Sequence, residues 1–168
     1  MEPQQRPVEW ITPFANAFTL EFCSMAVDNL LQLHVYLQER TAKGEIKKFH
    51  VVWQEWASYQ TTLEECYIPA VSIAEEIFPC FTYKVSPSHW AAKQSEHYNS
   101  KSLYLHFVLG TESIAIEVLA PGEPVINEIV NEEEWAQVVP QKKSTILIRP
   151  LDNDEIDKAL RQSDEPKS

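Results

Sequence analysis

Cys66, Cys80, His89 and His97 are the residues whose types could hold a metal ion. A structural zinc site wants short spacings such as C-x-x-C with H-x-x-x-H, because neighbouring ligands must converge on one tetrahedral ion. These four are strung far apart, and buried thiols with exposed imidazoles account for them, so no metal and no cofactor are expected. The same thiols could serve as nucleophiles beside His50 or His106, since the thiolate is the reactive form. Nothing in the local sequence activates either one, and Cys80 between Pro79 and Phe81 has the surroundings of an inert core cysteine. A serine hydrolase fares no better as an expectation, because there is no G-x-S-x-G elbow. The adjacent acids Glu64-Glu65, Glu75-Glu76 and Glu132, Glu133 and Glu134 point to different sides of any helix they occupy, and first-turn acids also complement the helix dipole. A glycosidase-like pair requires two carboxylates facing each other across a cleft, which adjacency does not supply.

Glycine is scarce, with only Gly44, Gly110 and Gly122, each at a plausible turn. Phosphate-cradling loops need several closely spaced glycines so that backbone N–H groups can reach the anion, so the Walker and dinucleotide-binding classes are excluded. Tryptophan, by contrast, is frequent: Trp10, Trp53, Trp56, Trp90 and Trp135. Aromatic rings concentrate at interface hot spots as well as in cores, and Trp56, Trp90 and Trp135 are candidates for a contact surface. The stretch from Glu112 to Glu134 carries seven glutamates and no Lys or Arg. Such a single-sign field steers association with a basic partner, and it also serves solubility.

The elements that must position these residues read as follows. Thr12 as N-cap, Pro13 at the first helical position, and Arg40 and Lys43 before Gly44 predict one long helix from Thr12 to Gly44. Its polar stripe would be Glu21, Ser24, Asp28, Gln32 and Glu39. Leu31, Leu33, Val35 and Leu37 also alternate with polar residues, a strand pattern that would turn at Lys43-Gly44; the caps at both ends favour the helix. Ile46 to Trp56 reads as a strand. Thr61 with Glu64 resembles a capping box, Pro69 opens a helical run over Val71, Ala74, Ile77 and Phe78, and Cys80 to Val85 makes a short strand. Ser86-Pro87 opens a polar helix or loop through Tyr98. The clearest element is a hairpin, Ser102–Leu109 and Glu112–Leu119, turning at Gly110-Thr111, with Leu103, Leu105 and Phe107 facing Ile114, Ile116 and Val118. Asn131 with Glu134 is a second capping box before Trp135; Ser144–Arg149 is a strand, and Asp152 with Glu155 caps a short helix to Leu160.

The expected fold class is therefore α+β, an antiparallel sheet packed against helices in a single domain. Residues 1–11 would be a flexible N-terminal segment, 12–161 the domain and 162–168 a disordered tail. The chain has 168 residues, 44% of them hydrophobic, enough for one core. Against 14 Lys and Arg stand 25 Asp and Glu, a net charge of −11, which speaks against direct nucleic-acid binding by phosphate neutralisation. No apolar stretch reaches the roughly 20 residues of a membrane helix. Three widely spaced cysteines and a start without a basic, then apolar, leader suggest an intracellular setting, cytoplasmic or nuclear.

The functional expectation is a non-enzymatic acidic protein-interaction domain, such as an assembly factor, inhibitor or complex subunit, with a basic protein partner and room for homo-oligomers. Its contacts would be Trp56, Trp90, Glu132, Glu133, Glu134 and Trp135. The alternatives are an enzyme with a Glu/His-based site drawn from different elements, or an acidic mimic of nucleic acid. A pocket separates these classes, because an enzyme needs a concave site where titratable groups converge.

Overall fold

A computed structural model describes residues 4–15, 17–63, 82–97 and 103–139. In chain order the elements are β1 (Pro7–Glu9), β2 (Thr19–Val27), β3 (Leu33–Arg40), β4 (Ile46–Trp53), β5 (Ser58–Leu63), β6 (Thr82–Val85), α1 (His89–His97), β7 (Leu105–Gly110), β8 (Ile114–Ala120), β9 (Val125–Glu128) and α2 (Glu132–Val138). They form two antiparallel sheets, ordered β1-β6-β7-β8-β5 and β2-β3-β4-β9. Strands take 49% of the described residues and helices 14%, so the α+β expectation of a sheet packed against helices is corrected: sheet packs on sheet.

One core joins the two sheets. Leu20, Leu33, Val35, Leu37, Phe49, Val51 and Trp53 come from the four-stranded sheet, and Phe107, Leu109, Ile116, Val118 and Ala120 from the five-stranded one. Alternate residues of each strand supply this layer, as the period of two requires. Trp10 and Phe14, on the chain between β1 and β2, fill it further. Phe107 is the hub, its ring 4.9 Å from Trp10 and 6.0 Å from Trp53. Residues 7–9, assigned above to a flexible segment, pair with β6 in the register Pro7↔Val85 to Glu9↔Tyr83 and deliver Trp10 to this core.

The long helix expected from Thr12 to Gly44 is two strands. Its start does make a turn, with the Ala15 N–H donating to the Thr12 carbonyl at 3.2 Å, but the Thr12 hydroxyl bonds that of Thr82 at 3.2 Å instead of capping a helix. Asp28, placed above on a helical polar stripe, is a turn former: its carboxylate accepts the N–H groups of Leu30 and Gln32, each at 2.9 Å. This loop ends β2 and starts β3, with Leu31 at φ +59°. A bulge between Phe22 and Ser24 then breaks the alternation of β2, which is why its apolar residues resemble a helical stripe. The turn at Lys43-Gly44 is present, and Gly44 adopts φ +83°, a left-handed conformation that suits glycine.

Other elements shift less. Thr61 lies within β5 opposite Ile116 and caps no helix. The β7–β8 hairpin turns two residues later than expected, at Glu112-Ser113: the Thr111 N–H donates to the Ile114 carbonyl at 2.9 Å, and the Thr111 hydroxyl accepts the Ile114 N–H at 3.1 Å. Phe107 consequently faces Val118, Leu109 faces Ile116, and Leu103 is exposed. Of the helix or loop expected after Ser86-Pro87 the structure forms a helix, His89–His97, and Asn131 is an N-cap as expected, although its side chain accepts the Glu133 N–H and not that of Glu134. The elements expected over 69–78, 144–149 and 152–160, the tail 162–168, Glu64-Glu65, Glu75-Glu76, Cys66 and Cys80 lie outside the described residues. Among the described residues, no helix is long and apolar enough to cross a membrane.

Since the rings of Trp10 and Trp53 both meet Phe107, Phe107→Ala should lower the unfolding free energy by about 3–5 kcal/mol. Leu30→Ala, at an exposed loop position, should change it by less than about 0.5 kcal/mol in the same urea titration.

Candidate functional site

The outer face of the five-stranded sheet is buried along β6, β7 and β8 and exposed at β5. Opposite the core layer, His106 on β7 and Glu117 on β8 point outward, 2% and 4% exposed, among Tyr83, Val85, Val108 and Leu119. A carboxylate in such surroundings must be hydrogen-bonded, because burying it bare costs several kcal/mol at the least. The pairing Gln60↔Glu117 puts the Gln60 amide beside it, donating to Oε2. On the other side, Oε1 lies 3.1 Å from Nε2 of His106. The other imidazole nitrogen, Nδ1, lies 2.9 Å from the hydroxyl of Ser88. The result is a continuous chain of polar side chains, Gln60–Glu117–His106–Ser88, drawn from three strands and the start of a helix.

Ser88 is held by its second role. It occupies the N-cap of α1, where its hydroxyl accepts the Ala91 N–H at 3.1 Å and its carbonyl accepts the Ala92 N–H at 3.0 Å. The Ser86 N–H reaches back to the Arg6 carbonyl at 2.9 Å, and the Gln5 side chain accepts the His89 N–H at 2.9 Å, so the N-terminal strand braces this corner. Trp90, one residue further into α1, stands edge-on to His106 with centroids 5.2 Å apart and planes at 81°. The Glu117 carboxylate requires a hydrogen on Nε2. In the neutral imidazole this leaves the Nδ1 lone pair facing the Ser88 hydroxyl.

A cleft of about 560 Å³ opens where this chain ends. Val8, Val85, Pro87, Ala92 and Leu105 give it apolar walls, and Ser88 and His106 line it as well. Lys84, at the same cleft, is paired with Glu123 at 2.8 Å.

The outer face of the other sheet carries a different cluster. His34 Nδ1 and His50 Nε2 are 2.9 Å apart, and Asp28 lies 3.2 Å from His34 Nε2. Tyr36 stacks on His50 at 4.4 Å, and Trp135 of α2 meets Tyr36 edge-on at 6.3 Å. Burial, and then the neighbouring His34, hold the His50 imidazole below its ordinary value. The Gln32 N–H leads the contacts that hold Asp28 low, and burial pushes the Tyr36 phenol up. This cluster seats α2. Among the described residues, no group of three His, Cys, Asp or Glu side chains is placed to hold a metal.

The six contact residues named from sequence do not share one surface. Trp135 is buried against Tyr36, and Glu132 beside it pairs with Lys48, whose ammonium sits 5.4 Å over the Trp135 ring. Glu133 and Glu134 are exposed in the first turn of α2, where the Asn131 side chain accepts the Glu133 N–H at 2.9 Å. Trp90 is on the opposite side of the molecule, over the five-stranded sheet. Trp56 follows β4, donating its indole N–H to the Leu31 carbonyl at 2.7 Å and packing on the core edge. The acidic stretch is likewise divided, since Glu117 is buried and Glu123 and Glu132 have cationic partners. Sequence reasoning misses Ser88 and Gln60 and counts Glu117 only among the glutamates of the acidic stretch, although a lone His in LHFVLG and a lone Glu in IAIEVLA stand out as polar residues inside apolar strands.

The two-histidine contact makes a pH prediction. His50 resists protonation in the fold but accepts a proton freely when unfolded, so the unfolded state binds more protons as the pH falls below the ordinary imidazole value of 6.5. The stability due to this site is complete above that pH and is lost as the pH falls through the lower folded value. Urea titrations across this window should show wild-type stability falling with acidification, and His50→Gln should flatten that fall.

No protein-family model, curated protein or solved structure matches the chain, so its cleft and polar chain are what point to a function.

Proposed function

We propose that this protein binds a small, mainly apolar molecule in the cleft between β6, β7 and α1, with one polar group of the ligand turned toward Ser88 and His106. The observation that carries this reading is an apolar-walled cleft of about 560 Å³ ending on the half-buried hydroxyl of Ser88, behind which lie the buried imidazole of His106 and carboxylate of Glu117. Small-molecule sites of roughly 300–1,000 Å³ typically combine apolar walls with a few convergent polar groups. Buried ionisable pairs seldom improve stability over apolar packing, so their position at the end of a cleft favours a role in binding. The net charge of −11 disfavours anionic ligands and leaves neutral or cationic ones. A contact surface for a basic protein partner has less support, because its six residues are divided between faces of the molecule.

Nile red, a neutral apolar dye with a carbonyl group, is a suitable probe. Its fluorescence should rise on titration with the full chain, saturating at one dye per protein. Ala92→Trp places a large ring at an exposed position of the cleft wall and should weaken binding at least tenfold without unfolding the protein. Equal binding by this variant would contradict the assignment of the cleft.

A further inference from the structure

We propose that Ser88 is a nucleophile and that the cleft hydrolyses carboxylic esters of small, neutral, mainly apolar acids and alcohols. This inference rests on the cleft as a ligand site and adds a reaction to it. An activated hydroxyl needs a base within hydrogen-bond reach and a third group that orients the base. Both are present: Nδ1 of His106 is 2.9 Å from Ser88 Oγ, and Glu117 holds the far nitrogen at 3.1 Å. Gln60 in turn fixes the carboxylate. The imidazole is buried and backed by Trp90, which holds its ring in place. Ser88 itself lines the cleft.

The hydroxyl is also prepared on its other side. It donates to Nδ1 and accepts the Ala91 N–H at 3.1 Å, a contact that favours negative charge developing on Oγ. The positive end of the α1 dipole lies at the same place, where the carbonyl oxygen of a bound ester would gain charge. In the reaction, Oγ bonds to the ester carbonyl carbon while its proton passes to Nδ1. The imidazolium so formed is compensated by Glu117. Collapse of the tetrahedral adduct breaks the bond to the alcohol, which leaves with the proton from Nδ1. Water then attacks the acylated Ser88, giving a proton to Nδ1, and that proton returns to Oγ as the acid is released. The sum is ester plus water to acid plus alcohol.

The test uses the full chain with two reagents, an uncharged alkyl fluorophosphonate and p-nitrophenyl butyrate, with Nile red binding measured in parallel. The expected result is one phosphonyl adduct per chain, located at Ser88 by peptide mass spectrometry, ester turnover that Ser88→Ala abolishes, and Nile red binding by the unaltered chain. Glu117→Gln should slow labelling at least about 100-fold, since it removes the charge that supports the imidazolium. If that variant fails to fold, the position of the adduct in the unaltered chain decides the matter. Nile red bound without an adduct at Ser88, an adduct at Ser95 instead, or ester turnover unchanged in Ser88→Ala would each overturn the nucleophile and leave the cleft standing. Absence of both dye binding and labelling would overturn the two readings together.

Discussion

The carboxylate of Glu117 has no water to rely on. It projects from β8 beside apolar side chains on the outer face of the five-stranded sheet, at 4% exposure. Its two oxygens must find donors, and the strands on either side supply them, Gln60 from β5 and His106 from β7. Once one imidazole nitrogen is committed to Glu117, the other requires a partner too. Ser88 meets that need and simultaneously caps α1, so the position of the helix follows from the demand that began on β8. The cleft is the space left between this anchored helix and the strands it covers.

The two outer faces of the sandwich have separate roles. One carries the cleft and its polar chain. The other is a platform of stacked rings, His34, His50 and Tyr36, on which Trp135 seats α2. Lys48 bridges Trp135 and Glu132, converting part of the acidic stretch from a free surface into a packing device. Much of the remaining negative charge is exposed, and in the ligand-binding reading it screens the cleft against anions.

How much of this was legible from sequence depends on the range of the interactions concerned. The β7–β8 hairpin is readable because its alternation and its turn are local. The displaced turn at Glu112-Ser113 arises because Thr111 satisfies the turn with its own hydroxyl, a contact no glycine count reveals. The segment from Thr19 to Arg40 misleads for the opposite reason: the bulge after Phe22 disturbs the period of two, and Asp28 serves a helical stripe and an Asx turn equally well on paper. The preference for helix then lost to tertiary burial of Leu33, Val35 and Leu37 on one face. His106 and Glu117 share a face under either turn, since their parity along the hairpin is unchanged. Ser88 and Gln60 reach them only through the β6–β7 and β5–β8 pairings, which join segments distant in the chain and leave no periodic trace.

The central claim is that Glu117 fixes the tautomer of His106 and thereby presents a free lone pair to Ser88. The ¹⁵N spectrum of imidazole-labelled protein, with His106 assigned by comparison with His106→Gln, measures this directly. The account predicts two inequivalent nitrogens for His106 at neutral pH, a protonated Nε2 coupled to its hydrogen and an unprotonated Nδ1. A hydrogen resident on Nδ1 would contradict it, because the imidazole could then not accept the Ser88 proton.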